Sequence, residues 1–149
     1  MCSEFIDIAV LMDASGSVGE ENFEREKQFV SSLARSLSIE EGDAHLAVVS
    51  YSNSAQVHIQ LTNSTDQDQF NEELRQIPYT GFTTNIRFAL HVVDTQVFGE
   101  GRSSRPYVTR IVILLTDGRQ TRHPEDVFQT DPVQNLRDKE VKRVAVGVG

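Results

Sequence analysis

The sequence predicts an α/β fold, a doubly wound (Rossmann-like) and mostly parallel sheet with one antiparallel edge strand and helices on both faces. Two observations carry this prediction. Short, almost wholly apolar segments recur along the chain, as buried parallel strands do, and helical segments stand between them. Such alternation is typical of parallel strands joined by crossover helices. At 149 residues, the chain has the length of one ordinary domain, so we expect residues 1–149 to form a single domain.

The predicted elements follow one another in a regular order. Buried strands are predicted at Phe5–Met12, Leu46–Tyr51, Arg110–Leu115 and Val144–Val148, and helices at Glu20–Leu37, Gln67–Ile77, Asn85–Val97 and Val133–Lys139. The segment Gln56–Leu61 alternates polar and apolar residues, as an edge strand with one solvated face does. Because the link Ser52–Ala55 has hairpin length, this strand is expected to run antiparallel to its predecessor.

Composition and charge exclude several classes of function. The 38% hydrophobic and 24% charged residues are typical of a globular protein, and no apolar stretch is long enough to insert into a membrane. The 14 basic and 22 acidic residues leave a net charge of -8. Since phosphate backbones select basic surfaces, we expect no nucleic-acid partner.

Three features near the start and in one loop bear on localisation. Met1 is followed directly by Cys2, without the apolar stretch of a signal peptide, so we expect the chain to be either cytosolic or a domain excised from a secreted protein. Cys2 is the single cysteine and can pair only with a residue outside this sequence. Asn63-Ser64-Thr65 is a glycosylation sequon, a triplet that is common by chance.

The turn after the first predicted strand is the most informative stretch. There Asp13-Ala14-Ser15-Gly16-Ser17 leads into a helix, with oxygen-bearing side chains at alternate positions. In a curving loop, the side chains of Asp13, Ser15 and Ser17 can converge on one point. One carboxylate and two hydroxyls form a hard-oxygen set, which suits Mg²⁺, Mn²⁺ or Ca²⁺ and suits zinc poorly.

A second carboxylate, Asp117, directly follows the most hydrophobic predicted strand. Ligands of doubly wound sheets bind beyond the carboxyl ends of the strands, where the strand order reverses, and we expect Asp13 and Asp117 to flank that point. Two carboxylates about 5 Å apart repel by on the order of 3 kcal/mol at an effective dielectric constant of about 20, and a divalent cation removes this cost. Taken singly, Asp13 is equally explained as a helix cap and Asp117 as part of a turn, but together they favour a metal site.

Three segments resemble the von Willebrand factor A (VWA) domain and its metal-ion-dependent adhesion site (MIDAS). They are Asp13-x-Ser15-x-Ser17 after an apolar strand, Thr84-Asn85, and Leu115-Thr116-Asp117-Gly118. The resemblance runs from Phe5 to the last residue. With Glu21-Asn22-Phe23, the first segment is most similar to extracellular-matrix members such as the A domains of collagens and matrilins, and integrin inserted domains share the site.

The resemblance implies a set of metal ligands around Mg²⁺, with Mn²⁺ or Ca²⁺ as substitutes. The set is Asp13, Ser15, Ser17, Thr84 and Asp117. Phe82 stands where the family usually has a small residue and Ile86 where a second threonine often follows, so Thr83 stays open as the ligand instead of Thr84. Three hydroxyl ligands leave the ion seeking an anionic oxygen. The implied partner is therefore a protein with an exposed Glu or Asp, such as collagen or another matrix protein, and the implied location is extracellular.

Residues on the same face are candidates for the rim that contacts the partner. They are Tyr79, Phe82, Arg119, Gln120, Arg122 and His123. The two arginines and the histidine form a local basic patch on an acidic domain, which favours an acidic partner segment. Taken singly, each is more simply explained as a solvated loop residue, and His123 is not expected to bind the metal.

Two other functions stay open. An aspartate-nucleophile phosphatase also has an Asp after its first strand and Mg²⁺ nearby, but its second carboxylate, two residues later, is replaced here by Ser15. No lysine stands near the predicted site to neutralise a transferring phosphoryl group, so we expect no enzymatic activity. The other alternative is a matrix scaffold domain without a metal-mediated ligand.

The resemblance also implies missing elements after the last predicted strand. The family normally continues with a helix, a further strand and a closing helix, whereas this sequence stops at Gly149. We therefore expect a truncated domain in which Val144–Val148 is an apolar sheet edge. In the family the missing part often carries a cysteine, the implied partner of Cys2.

Overall fold

One sheet organises the computed structural model, which describes residues 5–61, 66–99, 108–117 and 131–148. Its strands are β1 (Phe5–Asp13), β2 (Ala44–Tyr51), β3 (Ala55–Ile59), β4 (Val108–Thr116) and β5 (Val141–Gly147). In the described ranges the strand order is β3-β2-β1-β4-β5. β1 pairs in parallel with β2 and β4, β4 pairs in parallel with β5, and β3 is antiparallel to β2. The predicted mostly parallel sheet with one antiparallel edge strand is confirmed.

Helices cover both faces of this sheet, as predicted. They are α1 (Glu20–Ser36), α2 (Gln67–Arg75), α3 (Ile86–Val92) and α4 (Pro132–Asp138), with a 3-10 turn at Ile39–Glu41. Side chains of β1 alternate between two core layers because successive residues of a strand point to opposite faces. Val10 and Met12 join the layer under α1 and α2, whereas Ala9 and Leu11 join the layer under α3 and α4.

Two elements differ from their predicted form. The helix predicted at Asn85–Val97 is α-helical only to Val92 and continues as a π-helical turn, in which the Phe98 N–H donates to the Val93 carbonyl at 2.9 Å. β5 begins at Val141, three residues before its predicted start. Lys142 and Arg143 are exposed on this edge strand, and because they are charged, the apolar pattern that predicts a strand begins only after them.

None of the helices in the described ranges combines the length and the apolar character needed to cross a bilayer.

Candidate metal centre

The sheet order brings Asp13 and Asp117 to one place. Asp13 is the last residue of β1, and Asp117 directly follows β4, which is the parallel neighbour of β1. The chain passes from β1 to β2 on one side and later to β4 on the other, so the strand order reverses between β1 and β4. Both carboxylates therefore stand at the carboxyl edge beside the reversal point, where doubly wound folds bind ligands.

The carboxylate of Asp13 is buried and incompletely hydrogen-bonded. Oδ1 accepts the Ser15 N–H at 2.9 Å, whereas Oδ2 has no hydrogen-bond partner among the described residues. Burial raises the pKa of Asp13, hydrogen bonds from Ser15 oppose the shift, and the charge of Asp117 raises it again. The Asp117 amide also opposes the shift, without completing a hydrogen bond to Oδ2. A buried carboxylate oxygen without a partner is costly, and a cation is one ligand that removes the cost.

The two serines of the loop lie side by side. Their hydroxyl oxygens are 3.2 Å apart, with Ser15 buried and Ser17 exposed. Together with Asp13, they provide three side chains with oxygen atoms that can bind a metal, two of them buried and one exposed. This arrangement fits a hard divalent cation whose outer side is open to solvent or to a ligand.

A second loop, residues 79–85, is hydrogen-bonded to the loop of residues 13–17, which we call the serine loop. The Gly16 N–H donates to the Phe82 carbonyl at 2.8 Å, and the Gly81 N–H donates to the Ala14 carbonyl at 2.7 Å. A Cβ added to Gly16 would meet the Gly81 carbonyl oxygen at 2.6 Å, so the approach of the two backbones requires glycine at position 16.

The loop of residues 79–85 also contains the two candidate threonine ligands, Thr83 and Thr84. Thr84 is buried whereas Thr83 is exposed, and Asn85 caps α3 by accepting the Phe88 N–H at 3.0 Å. The Asn85 N–H itself donates to the Ser52 carbonyl at 2.7 Å, which ties the start of α3 to the end of β2. Thr84 thus shares the burial of Asp13 and Ser15.

The candidate rim residues fall into three groups. Tyr79 is half-buried and turned inward, since its hydroxyl donates to the Ser15 carbonyl at 2.9 Å and its ring packs against Phe23. Phe82 is 65% exposed, so its side chain is available to a partner. The remaining four, Arg119, Gln120, Arg122 and His123, lie outside the described residues, as do Cys2 and Asn63.

Sequence reasoning missed a third carboxyl group, Glu26 of α1. It is 2% exposed, and its Oε1 accepts the Asp13 N–H at 2.7 Å. The pKa of Glu26 is raised to about 9, chiefly by burial and also by the charges of Asp13 and Asp117, although the hydrogen bond from Asp13 opposes the shift. A signal existed in the sequence, because Glu26 occupies the core-facing stripe of α1 three residues after Phe23 and four before Val30.

Within the described residues, the candidate centre is not a cluster of histidine, cysteine and carboxylate side chains. The part of the chain that the structure describes holds no group of three or more His, Cys, Asp or Glu side chains placed to bind a metal ion. The candidate metal centre therefore depends on hydroxyl oxygens as well as on two carboxylates. A site of this kind is not marked by a cluster of His, Cys, Asp and Glu side chains.

Comparison with known proteins agrees with this architecture. The chain is 30% identical to matrilin-1 of Gallus gallus over 144 residues and 32% identical to the collagen alpha-6(VI) chain of Homo sapiens over 148 residues. These matches cover 97% and 99% of this chain but 28% and 6% of the relatives, so the chain spans well under a third of either protein. Both relatives are proteins of the extracellular matrix.

Solved structures show the same fold. Proximal thread matrix protein 1 from the mussel byssus is similar with a TM-score of 0.83 and 26% identity, over 98% of this chain and 38% of that one. Another structure of the mussel protein, with a TM-score of 0.81 and 25% identity, has a zinc-occupied MIDAS motif. A MIDAS motif thus holds a divalent metal in a relative, and there the metal is zinc, contrary to the expectation that such donors suit zinc poorly.

The matching family model extends over almost the whole chain, from residue 7 to residue 149, and it describes the von Willebrand factor type A domain. The two matched matrix proteins and the similar mussel structure agree with it. This chain belongs to the von Willebrand factor type A domain family.

Proposed function

We propose that this domain is a divalent-cation-dependent adhesion module that binds an acidic side chain of a partner protein. The observation that carries the proposal is the Asp13 Oδ2 atom, buried and without a partner among the described residues, next to two serine hydroxyls at the reversal point of the sheet. A bound divalent cation would supply a Lewis-acidic anchor for an anionic oxygen.

The proposed ligands are Asp13, Ser15, Ser17, Thr84 and Asp117. Thr84 is preferred to Thr83 because it is buried like Asp13 and Ser15. Three hydroxyls neutralise little of the charge of a divalent ion, so a Glu or Asp of a partner gains from completing the coordination. Mg²⁺ fits this role because it keeps water molecules that a ligand can displace, with Mn²⁺ and Ca²⁺ as substitutes.

The proposed partner is a matrix protein, with collagen as the first candidate, and the proposed location is extracellular. The likeness to matrilin-1, to a collagen chain and to a byssal matrix protein supports both. Phe82, the most exposed large apolar residue described, would add an apolar contact beside the acid, as exposed aromatic residues do at interfaces.

Isothermal titration with Mg²⁺, Mn²⁺, Ca²⁺ and Zn²⁺ tests the cation site. We expect wild type to bind at one site, and Asp13→Asn and Asp117→Asn to lose that binding because each removes one of the two carboxylates. Glu41→Gln is the matched control, since Glu41 is an exposed acid just before β2, at the opposite edge of the sheet. Unchanged titration of Asp13→Asn would contradict the ligand assignment, and Zn²⁺ as the tightest ion would correct the choice of Mg²⁺.

Solid-phase binding to immobilised collagens and other matrix proteins tests the adhesion. We expect binding in Mg²⁺, none in EDTA, and none for Asp13→Asn in either buffer, because the partner's acid has no anchor without the cation. Binding that persists in EDTA would show that the contact does not pass through the metal.

A further inference from the structure

On the side of β4, the end of β1 is held by a side chain of α1 and not by the neighbouring strand. The paired register of β1 with β4 ends at Leu11 and Leu114. Amide groups of a strand alternate in direction, and the Ala14 N–H is directed to β2, where it donates to the Tyr51 carbonyl at 2.8 Å. The Asp13 N–H is thus directed to the β4 side, beyond the last strand pair. There Glu26 Oε1 accepts it at 2.7 Å, in place of a β4 carbonyl.

Packing does not explain a carboxyl group at position 26. Phe23, Val30 and Ala34 of the same helix are buried, and Glu26 occupies their stripe with 2% exposure. Its Oε2 atom, like Asp13 Oδ2, has no hydrogen-bond partner among the described residues. An apolar side chain here would avoid the cost of burying the carboxyl, so the acceptor atom serves a purpose other than filling the core.

We propose that Glu26 is a positioning residue of the cation site, which holds the Asp13 backbone so that the Asp13 carboxylate is presented to the ion in one arrangement. The proposal rests on the proposed function. Without this acceptor, the Asp13 N–H is a buried donor without a partner, and the strand end shifts to find another. Groups that orient a metal ligand through a hydrogen bond commonly change metal affinity when removed.

Mn²⁺ titration of substituted proteins, followed by calorimetry at constant pH, tests this role. We expect Glu26→Leu and Glu26→Met to lower Mn²⁺ affinity by roughly 10- to 100-fold, the usual effect of losing such a partner. Glu26→Gln should stay within about threefold of wild type, because its amide oxygen still accepts the Asp13 N–H. Glu26→Met gives a measurement if the leucine variant fails to fold, since methionine adapts to irregular space.

A control separates positioning from general loosening of α1. Val30→Ala truncates a fully buried residue one turn further along the helix. It should lower the melting temperature while leaving Mn²⁺ affinity unchanged. The inference fails if Glu26→Leu and Glu26→Met bind Mn²⁺ as wild type does, or if Glu26→Gln loses as much affinity as they do.

Asp13→Asn in the same titration distinguishes the two failures. If Asp13→Asn binds Mn²⁺ like wild type, the proposed cation site is itself wrong. If Asp13→Asn loses binding while the acceptor-free Glu26 variants keep it, the site stands and only the role of Glu26 is refuted.

Discussion

At the scale of single residues, the candidate centre depends on two loops whose backbones touch. Hydrogen bonds join Gly16 to the Phe82 carbonyl and Gly81 to the Ala14 carbonyl, and the Tyr79 hydroxyl donates to the Ser15 carbonyl. The contact leaves no room for a side chain at position 16. The contacts between the two loops therefore help to position the proposed ligands Ser15, Ser17 and Thr84.

Substitution of Gly16 should disturb this contact directly. In Gly16→Ala the new methyl group would lie 2.6 Å from the Gly81 carbonyl oxygen, so the loops must separate. We expect a loss of about 1–3 kcal/mol in unfolding free energy, as for overpacked sites, with weaker cation binding. Urea unfolding and calorimetry measure the two effects. Gly147→Ala is the control, because a Cβ there meets nothing within 4 Å, and an equal loss in both variants would refute the argument.

His58 should make stability depend on pH. Its Nε2 lies 2.7 Å from the Ser50 hydroxyl, and burial, followed by the charge of Lys27, lowers its pKa. A histidine whose pKa is lower in the folded state binds protons better when unfolded, so its contribution is present above its ordinary pKa of about 6.5 and is lost below it. Unfolding free energy should therefore fall between pH 7.5 and pH 5, and His58→Gln should reduce that slope. An unchanged slope in the variant would assign the effect to other groups.

At the scale of elements, α1 begins in a different way from the other α-helices in the described ranges. Asp66, Asn85 and Asp131 cap α2, α3 and α4 with their side chains. α1 has no side-chain cap, and Gly19 precedes it with a φ of 84°. The serine loop ahead of α1 instead makes its hydrogen bonds with β2 and with the loop of residues 79–85. The start of α1 is therefore part of the candidate centre, whereas the start of α2 has an independent cap.

Removing the side-chain caps of α2 and α3, one at a time, should distinguish an effect on stability alone from an effect on cation binding. Asp66 accepts from the Asp68 and Gln69 amides, and Asp66→Ala should cost about 0.5–2 kcal/mol, the usual value of such a cap, without changing cation affinity. Asn85→Ala removes the cap of α3 next to Thr84, so it should lower both quantities. Chemical unfolding and metal titration of the two variants provide the comparison. Equal cation affinity in both would argue against Thr84 as a ligand.

At the scale of the whole molecule, the strand order brings together residues more than 100 positions apart in the sequence, Asp13 and Asp117. Helices pack on both faces of the sheet, and the two carboxylates stand at its carboxyl edge. Burial is the main cause that raises the pKa of Asp13, and the charge of Asp117 adds to it, so the folded chain carries some repulsion at this edge. A divalent cation that binds there should stabilise the folded state.

Thermal unfolding measures this stabilisation. A cation at about 100 times its dissociation constant should add about 2.7 kcal/mol, by mass action on the folded state. For a domain of this size the melting temperature should rise by about 5–10 °C. Asp13→Asn should show no rise between EDTA and Mg²⁺. A rise of equal size in that variant would place the bound ion elsewhere.

The sequence by itself determined the order of helices and strands and pointed to the acidic residues that are proposed to bind the metal. Its apolar segments predicted the strands, and the hairpin length of Ser52–Ala55 predicted the antiparallel pairing of β3, which the structure confirms. Asp13 and Asp117 were recognisable because each ends an apolar segment. These signals are local, since hydrophobic periodicity and turn chemistry depend on neighbouring residues.

Only the tertiary structure decided which groups meet across the fold. The Asp13–Glu26 hydrogen bond depends on how α1 packs against the end of β1, and the inward turn of Tyr79 depends on Phe23 and Ser15. The π-helical turn after α3 and the early start of β5 also escaped the sequence pattern. The physical reason is that hydrogen bonds between distant residues depend on packing geometry, which local periodicity does not contain.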